Sequence, residues 1–281
     1  MADFPLYECS KIFASLNTSS TSGVDITMGS SANTKGSWSA MSTSTELDAS
    51  AILLTFAGAS PVSGSDHMYL MDISIGSSTN EDDGIIIENI CFTSDVVAQQ
   101  CVPSFYLPIH IPAGSRVSAR GQNDTANADV ISVTVQYFAT TMGSPEGLNG
   151  GFVTYGANTG TSNGTPVDAG GGGAGSWGAW EVFAASSSDD FKGFFLSVGT
   201  NDNPTMSTGN HLVDVGIGAS TAEETIVSRI PVYTAGNEVV RMTSIFYPVP
   251  IPAGTRISLR AQTDITAVDD DTLSYTFHGA K

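Results

Sequence analysis

Basic residues are scarce in this chain. It has ten lysines and arginines against 28 aspartates and glutamates among 281 residues, for a net charge of −18. Binding nucleic acid or an anionic membrane requires cations at the surface, so neither is expected as a partner. Cysteine is nearly absent. Cys9, Cys91 and Cys101 all fall in the first half and have no counterparts in the second, so they form no repeated disulfide framework. Cys91 and Cys101 are spaced to pair across a hairpin, but buried free thiols in a chain made in a reducing cytoplasm is the preferred reading.

Long apolar runs are missing too. The most apolar one, Ala51-Ile-Leu-Leu-Thr-Phe-Ala57, is far shorter than the ~20 residues of a membrane-spanning helix, so no membrane insertion is expected. The first residues, Met1-Ala-Asp-Phe-Pro-Leu-Tyr-Glu-Cys9, lack the basic and then apolar pattern of a secretory signal. The chain also contains no His-Glu-x-x-His pair or Walker loop. Beside their polar loops, His67 and His211 are expected at the surface. No catalytic residue, metal ligand or cofactor is assigned, and the chain is expected not to be an enzyme. A polysaccharide depolymerase working through paired carboxylates remains an outside reading, because that chemistry depends on a separation sequence does not show.

What the chain does contain, it contains twice. Ile111-Pro-Ala-Gly-Ser-Arg-Val-Ser-Ala-Arg-Gly-Gln-Asn-Asp124 returns as Ile251-Pro-Ala-Gly-Thr-Arg-Ile-Ser-Leu-Arg-Ala-Gln-Thr-Asp264. In each copy Pro-Ala-Gly sets a tight turn, since proline fixes φ and glycine accepts a positive one. Alternation follows, the mark of a half-buried strand. Val117 and Ala119, or Ile257 and Leu259, take the core face, while Arg116, Ser118, Arg120 and Gln122, or their counterparts, take the other.

Similar pairs extend along both halves. Tyr69-Leu-Met-Asp-Ile-Ser-Ile-Gly76 matches His211-Leu-Val-Asp-Val-Gly-Ile-Gly218, with Asp72 and Asp214 opposite the apolar face. Gly36-Ser-Trp38 is matched with Gly175-Ser-Trp177, and Trp38 and Trp177 are expected to anchor the core. Counting gives roughly seven or eight short strands per half with turn signals between them and no amphipathic helix. The fold class is therefore all-β, with two tandem jelly-roll-like antiparallel β-sandwich domains related by internal duplication. Residues 1–20 form an N-terminal lead that either packs on its own domain or docks on a neighbouring subunit. The first sandwich is placed at 21–141, a Gly/Pro-rich linker at 142–151 and the second sandwich at 152–281.

Four of the ten basic residues sit in the repeated motif as Arg116, Arg120, Arg256 and Arg260. Their nearest candidate partners are Asp72 and Asp214, or Asp124 and Asp264. An Arg–carboxylate network within each domain is preferred to an Arg row facing an adjacent subunit. The acidic turns Asn80-Glu-Asp-Asp-Gly84 and Asp269-Asp-Asp271 carry oxygen ligands suited to calcium but not the order of an EF-hand loop, so solvated loops are expected. Trp180 and Tyr233 are the candidates for stacking on a sugar ring.

Ala32-Asn-Thr-Lys-Gly-Ser-Trp38, Leu212-Val-Asp-Val-Gly-Ile-Gly-Ala219 and Ile251-Pro-Ala-Gly-Thr-Arg-Ile-Ser-Leu-Arg-Ala-Gln262 resemble motifs of tailed-bacteriophage virion proteins. The resemblance spans most of both halves, although Gly170-Gly-Gly-Gly-Ala-Gly175 departs from the Ala-Asn-Thr-Lys form. It implies a structural protein located in the virion, as a capsid decoration, tail or fibre component. It also implies other virion proteins and further copies of the chain as partners, a homo-oligomer. A carbohydrate- or receptor-binding adhesin that meets a host-surface glycan is the alternative.

Overall fold

The computed structural model describes residues 11–15, 23–60, 67–76, 81–94, 103–139, 148, 150–170, 173–200, 208–235, 238–242, 244–265 and 272–281. In the first half the strands are β1 (Lys11–Ser15), β2 (Val24–Thr27), β3 (Ser39–Ser42), β4 (Ala49–Ser60), β5 (His67–Gly76), β6 (Ile85–Ser94), β7 (Ser104–Leu107), β8 (Arg116–Asn123) and β9 (Val130–Ala139). One sheet runs β1-β9-β4-β7 with β2 also on β9, and the facing strands run β6-β5-β8-β3. The chain crosses between the layers, β2 in one, β3 in the other, β4 back again, so that a five-stranded sheet and a layer of four strands wrap one core. That arrangement is a jelly roll.

Alternation builds the core. Ile52, Leu54 and Phe56 of β4 point inward against Tyr69, Met71 and Ile73 of β5 and Val117 and Ala119 of β8. Phe92 stacks between Phe56 and Tyr69 at centroid distances of 4.8 and 5.2 Å. The turn that opens β8 needs its glycine, since Gly114 holds φ +80°, as Gly254 does in the second copy.

The second half repeats the scheme with β10 (Phe152–Tyr155), β11 (Thr165–Asp168), β12 (Glu181–Ala184), β13 (Gly193–Gly199), β14 (Gly209–Ile217), β15 (Glu224–Ala235), β16 (Glu238–Met242), β17 (Ile257–Thr263) and β18 (Thr272–Ala280). β10 and β11 both pair β18, which pairs β13, and the facing strands run β12-β17-β14-β15. Two details differ. β16 adds an edge strand beyond β15, and the place of β7 is taken by a segment held through the isolated bridges Phe194↔Tyr247 and Phe191↔Ile251.

The halves are joined along a seam. β13 pairs β6 in parallel at Val198↔Phe92, which makes one eight-stranded sheet through both sandwiches. Phe152, Phe195 and Ala280 of the second half lie in the first core. Leu148, from the expected linker, is buried there too and bridges Ile109, so this residue is packed in place and not a free tether. Lys11–Ser15, from the expected N-terminal lead, pairs β9 of its own chain as β1.

Buried hydroxyls line the seam. The Cys91 N–H donates to Ser197 Oγ at 2.8 Å and the Thr200 N–H to Thr93 Oγ1 at 2.8 Å. Ser197 and Thr276 bond each other and lie 3.0 and 2.8 Å from His278 Nε2. The Thr154 hydroxyl donates to the Glu88 carbonyl, so His278 Nδ1–H donates to Thr154 Oγ1 and Nε2 accepts. Burial pushes His278 down to about 3, which keeps the ring neutral. His67 and His211 are buried as well, against the expected exposure, because both lie in paired strands, His67 opposite Ser94 and His211 between Val232 and Thr263. Cys91 is a buried free thiol pushed up to about 12 by desolvation. Cys9 and Cys101 lie outside the described residues.

Candidate functional site: paired arginine stacks

The repeated motif places its arginines on the outer face of the second sheet in each sandwich. Asp72 on β5 is the direct cross-strand neighbour of Arg120 on β8, and Asp214 on β14 is that of Arg260 on β17. Arg120 Nε lies 3.0 Å from Asp72 Oδ2, and Arg260 Nε and Nη2 lie 3.1 and 2.8 Å from Asp214 Oδ2. A bulge on the next strand completes each site. There Asn89 and Arg229 take φ +57° and +58°, and their N–H groups donate to Asp72 and Asp214, each at 2.9 Å.

The outer arginines are paired within their own halves. Arg116 Nε lies 3.1 Å from Glu81 Oε1, and Arg256 meets Glu223, whose carboxyl is held below the usual range mainly by that hydrogen bond. Glu81 and Asp82, which meets Arg120 Nη1 at 2.7 Å, are therefore partners of arginines, where a solvated acidic loop was expected. Asp269-Asp-Asp271 lies outside the described residues, and among the described residues no group of three or more His, Cys, Asp or Glu is placed to hold a metal. Asp124 and Asp264 do other work. Asp124 accepts from the Met68 N–H at 3.3 Å, and Asp264 takes the backbone and side-chain N–H groups of Asn210 at 2.8 and 2.6 Å, which lowers its pKa.

The tryptophans stand elsewhere than expected. Gly36 N–H bonds Gly121 O, and Gly178 N–H bonds Ala261 O, each at 2.8 Å. This pairing makes Trp180 the counterpart of Trp38 and sets Trp177 at the place of Lys35, a shift of three residues from the match of Gly-Ser-Trp to Gly-Ser-Trp. Neither Trp38 nor Trp177 is in the core. Both are half-buried on the outer face, where Arg120 covers Trp38 at 4.4 Å from its ring centroid. Arg260 lies between Trp177 and Trp180, at 4.6 and 4.5 Å.

Lys35 accounts for the difference between the halves. Its Nζ reaches Asp72 Oδ1 at 2.7 Å, Asn89 Oδ1 at 2.9 Å and the Leu70 carbonyl at 3.2 Å. Burial pulls its pKa down, and the Asp72 carboxylate opposes the shift. The second half has an indole there instead of an ammonium. Tyr233 is half-buried on β15 opposite Asn210, whereas Trp180 lies over Gly216, six residues along β14 or about 20 Å away, so Trp180 and Tyr233 do not form one site. Lys35 and the two bulge N–H groups were missed by sequence reasoning. The only signal for Lys35 was a lone lysine in an acidic chain three residues before a tryptophan.

No known protein-family profile matches the sequence, and no curated protein matches it. Among solved structures, the chain is similar to PNGF-II at a TM-score of 0.38 and 9% identity, over 97% of this chain and 65% of that one. The chain thus spans less than two thirds of PNGF-II. It is also similar to a peptide-N(4)-(N-acetyl-β-D-glucosaminyl)asparagine amidase at 0.35 and 10% identity, over 92% and 96% of the two chains. A third is PNGase F, a glycosylasparaginase from Flavobacterium meningosepticum, at 0.33 and 9% identity over 96% of each chain. At these scores neither residues nor activity carry across. The fold and outer-face sites define a class, an all-β protein of two fused sandwiches bearing repeated Arg–Asp–Trp stacks. Among the described residues no helix is long and apolar enough to cross a membrane.

Proposed function

We propose that the chain is a non-enzymatic structural protein of a tailed-phage virion, a capsid decoration, tail or fibre component acting through contacts with other virion proteins and with further copies of itself. The observation that carries this reading is the seam. A shared sheet, interlocked phenylalanines and buried hydroxyls make the two sandwiches one block with two similar faces at fixed spacing, a shape suited to neighbouring positions on a repeating surface. The motif resemblance supports the same reading. Ser197 and His278, a hydroxyl and an imidazole within reach of each other, are fully buried and bonded across the seam, which suits cohesion and not attack on a substrate. A cryo-EM map of the particle tests the proposal. Two-lobed density fitted by both sandwiches in their mutual orientation here is the expected result, and a map fully accounted for by other proteins contradicts it.

The second reading is a glycan-binding module on the virion, favoured by one observation, the half-buried Trp180 beside Trp177 on an outer sheet face. Indole faces stack on sugar rings. Glycan-array binding lost in Trp180→Ala is the expected result. Binding unchanged in that variant removes the contact.

A further inference from the structure

The two stacks differ in what they leave open. In the first half Arg120 Nη1 and the Trp38 indole N–H both reach Asp82 Oδ1, at 2.7 and 3.2 Å. The Trp38 N–H and the Nε and Nη1 of Arg120 are thereby engaged, while Arg120 Nη2, like Arg260 Nη1, meets no acceptor among the described residues, so the stacks differ in their indole N–H groups. In the second half Asp214 takes Nε and Nη2 of Arg260. Among the described residues nothing in the protein accepts from Arg260 Nη1 or from the indole N–H of Trp177 or Trp180. Glu224, which follows Glu223 as Asp82 follows Glu81, is exposed and meets neither ring nor guanidinium.

The surroundings are partly exposed. The Arg260 side chain is 28% exposed, and Val182, on β12 opposite Ser258 of β17, is 43% exposed. Gly216 clears the space beneath Trp180, since a Cβ there would stand 2.7 Å from the indole. The first sandwich has Ser74 at that place, and its hydroxyl donates to the Glu81 carbonyl at 2.6 Å. So the second sandwich presents one unengaged edge of a guanidinium, two indole N–H donors, two aromatic rings and an exposed valine. Arg260 Nη1 and the two indole N–H groups meet no acceptor among the described residues.

We propose that this face, centred on Arg260, Trp177 and Trp180, binds a carboxylated sugar of the uronic acid type. The carboxylate accepts from Arg260 Nη1, and the apolar face of the ring lies on indole and Val182. Donors that meet no acceptor among the described residues favour a ligand rich in acceptors, and charge-assisted bonds to a carboxylate exceed those to a hydroxyl. The aromatic walls supply a surface for sugar C–H groups. The net charge of −18 does not forbid this, because fields beyond a Debye length of about 8 Å are screened at physiological salt, and only the nearest charges act on one carboxylate. This inference rests on the glycan-binding reading and names its ligand class.

The test uses the whole chain, whose only tryptophans are Trp38, Trp177 and Trp180. Oligomers of galacturonate and glucuronate are titrated against their methyl esters, which keep the sugar and lose the charge, with binding followed by calorimetry and tryptophan fluorescence. The acids should bind with saturable fluorescence change, and the esters about tenfold more weakly. Trp177→Phe and Trp180→Phe keep an aromatic wall while removing an N–H, and should each weaken acid binding. Trp38→Phe, on the engaged first stack, should leave it unchanged. Equal binding of acid and ester overturns the carboxylate site but leaves glycan binding standing. Loss of binding in Trp38→Phe alone overturns its location. Absence of binding by acid and ester alike overturns this proposal, and the glycan-binding reading falls separately only if the array is also blank.

Discussion

Replacing Asp72 with alanine should destabilise the first sandwich more than any other single change on its outer face. The Asp72 side chain is 3% exposed and receives Lys35 Nζ, Arg120 Nε and the Asn89 N–H. Without it two cations and a backbone donor lose their acceptor together. Breaking a buried ion pair from one side costs about 3–5 kcal/mol, and an orphaned buried N–H about 1–3 kcal/mol. Lys35 and Arg120 are 19% and 21% exposed, so water relieves part of this, and about 3 kcal/mol is expected in all. For a chain of this size that corresponds to a fall in Tm of roughly 6–12 °C. Asp72→Asn, which keeps an acceptor for Asn89, should fall between the variant and the wild type. Differential scanning calorimetry decides it, repeated at about 0.5 M salt, where a screened surface pair would lose its effect and this one should keep most of it. A fall in Tm below about 2 °C for Asp72→Ala would refute the argument.

The seam should weaken in acid. Unfolded His278 gains a proton near its ordinary pKa of about 6.5, whereas in the fold it does so only near 3, so stability is lost as pH drops through that window, by up to about 1.4 kcal/mol per unit. His278→Gln should flatten the pH 7 to 5 dependence of the urea midpoint, and an unchanged slope would show that other groups cause it. Gly23→Ala and Gly164→Ala should each lower Tm by several degrees, because a Cβ would stand 2.3 Å from the Val133 or Tyr275 carbonyl oxygen. Gly173→Ala, whose Cβ would meet nothing within 4 Å, should cost less despite its positive φ. Peptide mapping after alkylation should find Cys91 modified only in denaturant, and modification of the native chain would contradict its burial.

Period-two alternation made the strands legible, and the repeated Ile-Pro-Ala-Gly stretch marked β8 and β17 with the faces they show. The pairing of Asp72 with Arg120 and of Asp214 with Arg260 was open to inference because both partners recur in equivalent strands. Side chains that act through three dimensions were less visible. Gly-Ser-Trp38 and Gly-Ser-Trp177 look like one motif twice, yet the backbone bonds of Gly36 and Gly178 put Trp180 in the place of Trp38. A loop of glycines offers no side chain to fix an alignment, so local likeness misled by three residues. The tryptophans went to the outer face because a guanidinium beneath each supplies a cation–π partner that composition does not reveal. The buried histidines were hidden for a related reason. His278 is held neutral by burial, and its nitrogens are satisfied by Thr276 two residues away and by Ser197 and Thr154, which are distant in sequence.

The most direct test of the structural role is quantitative mass spectrometry of purified, nuclease-treated particles made by the genome that encodes this chain. The account predicts peptides from both sandwiches at a constant copy number per particle, co-sedimenting with the shell or tail through successive gradients. Its absence from particles, with the chain recovered only in the unassembled fraction of the lysate, would contradict the proposed function.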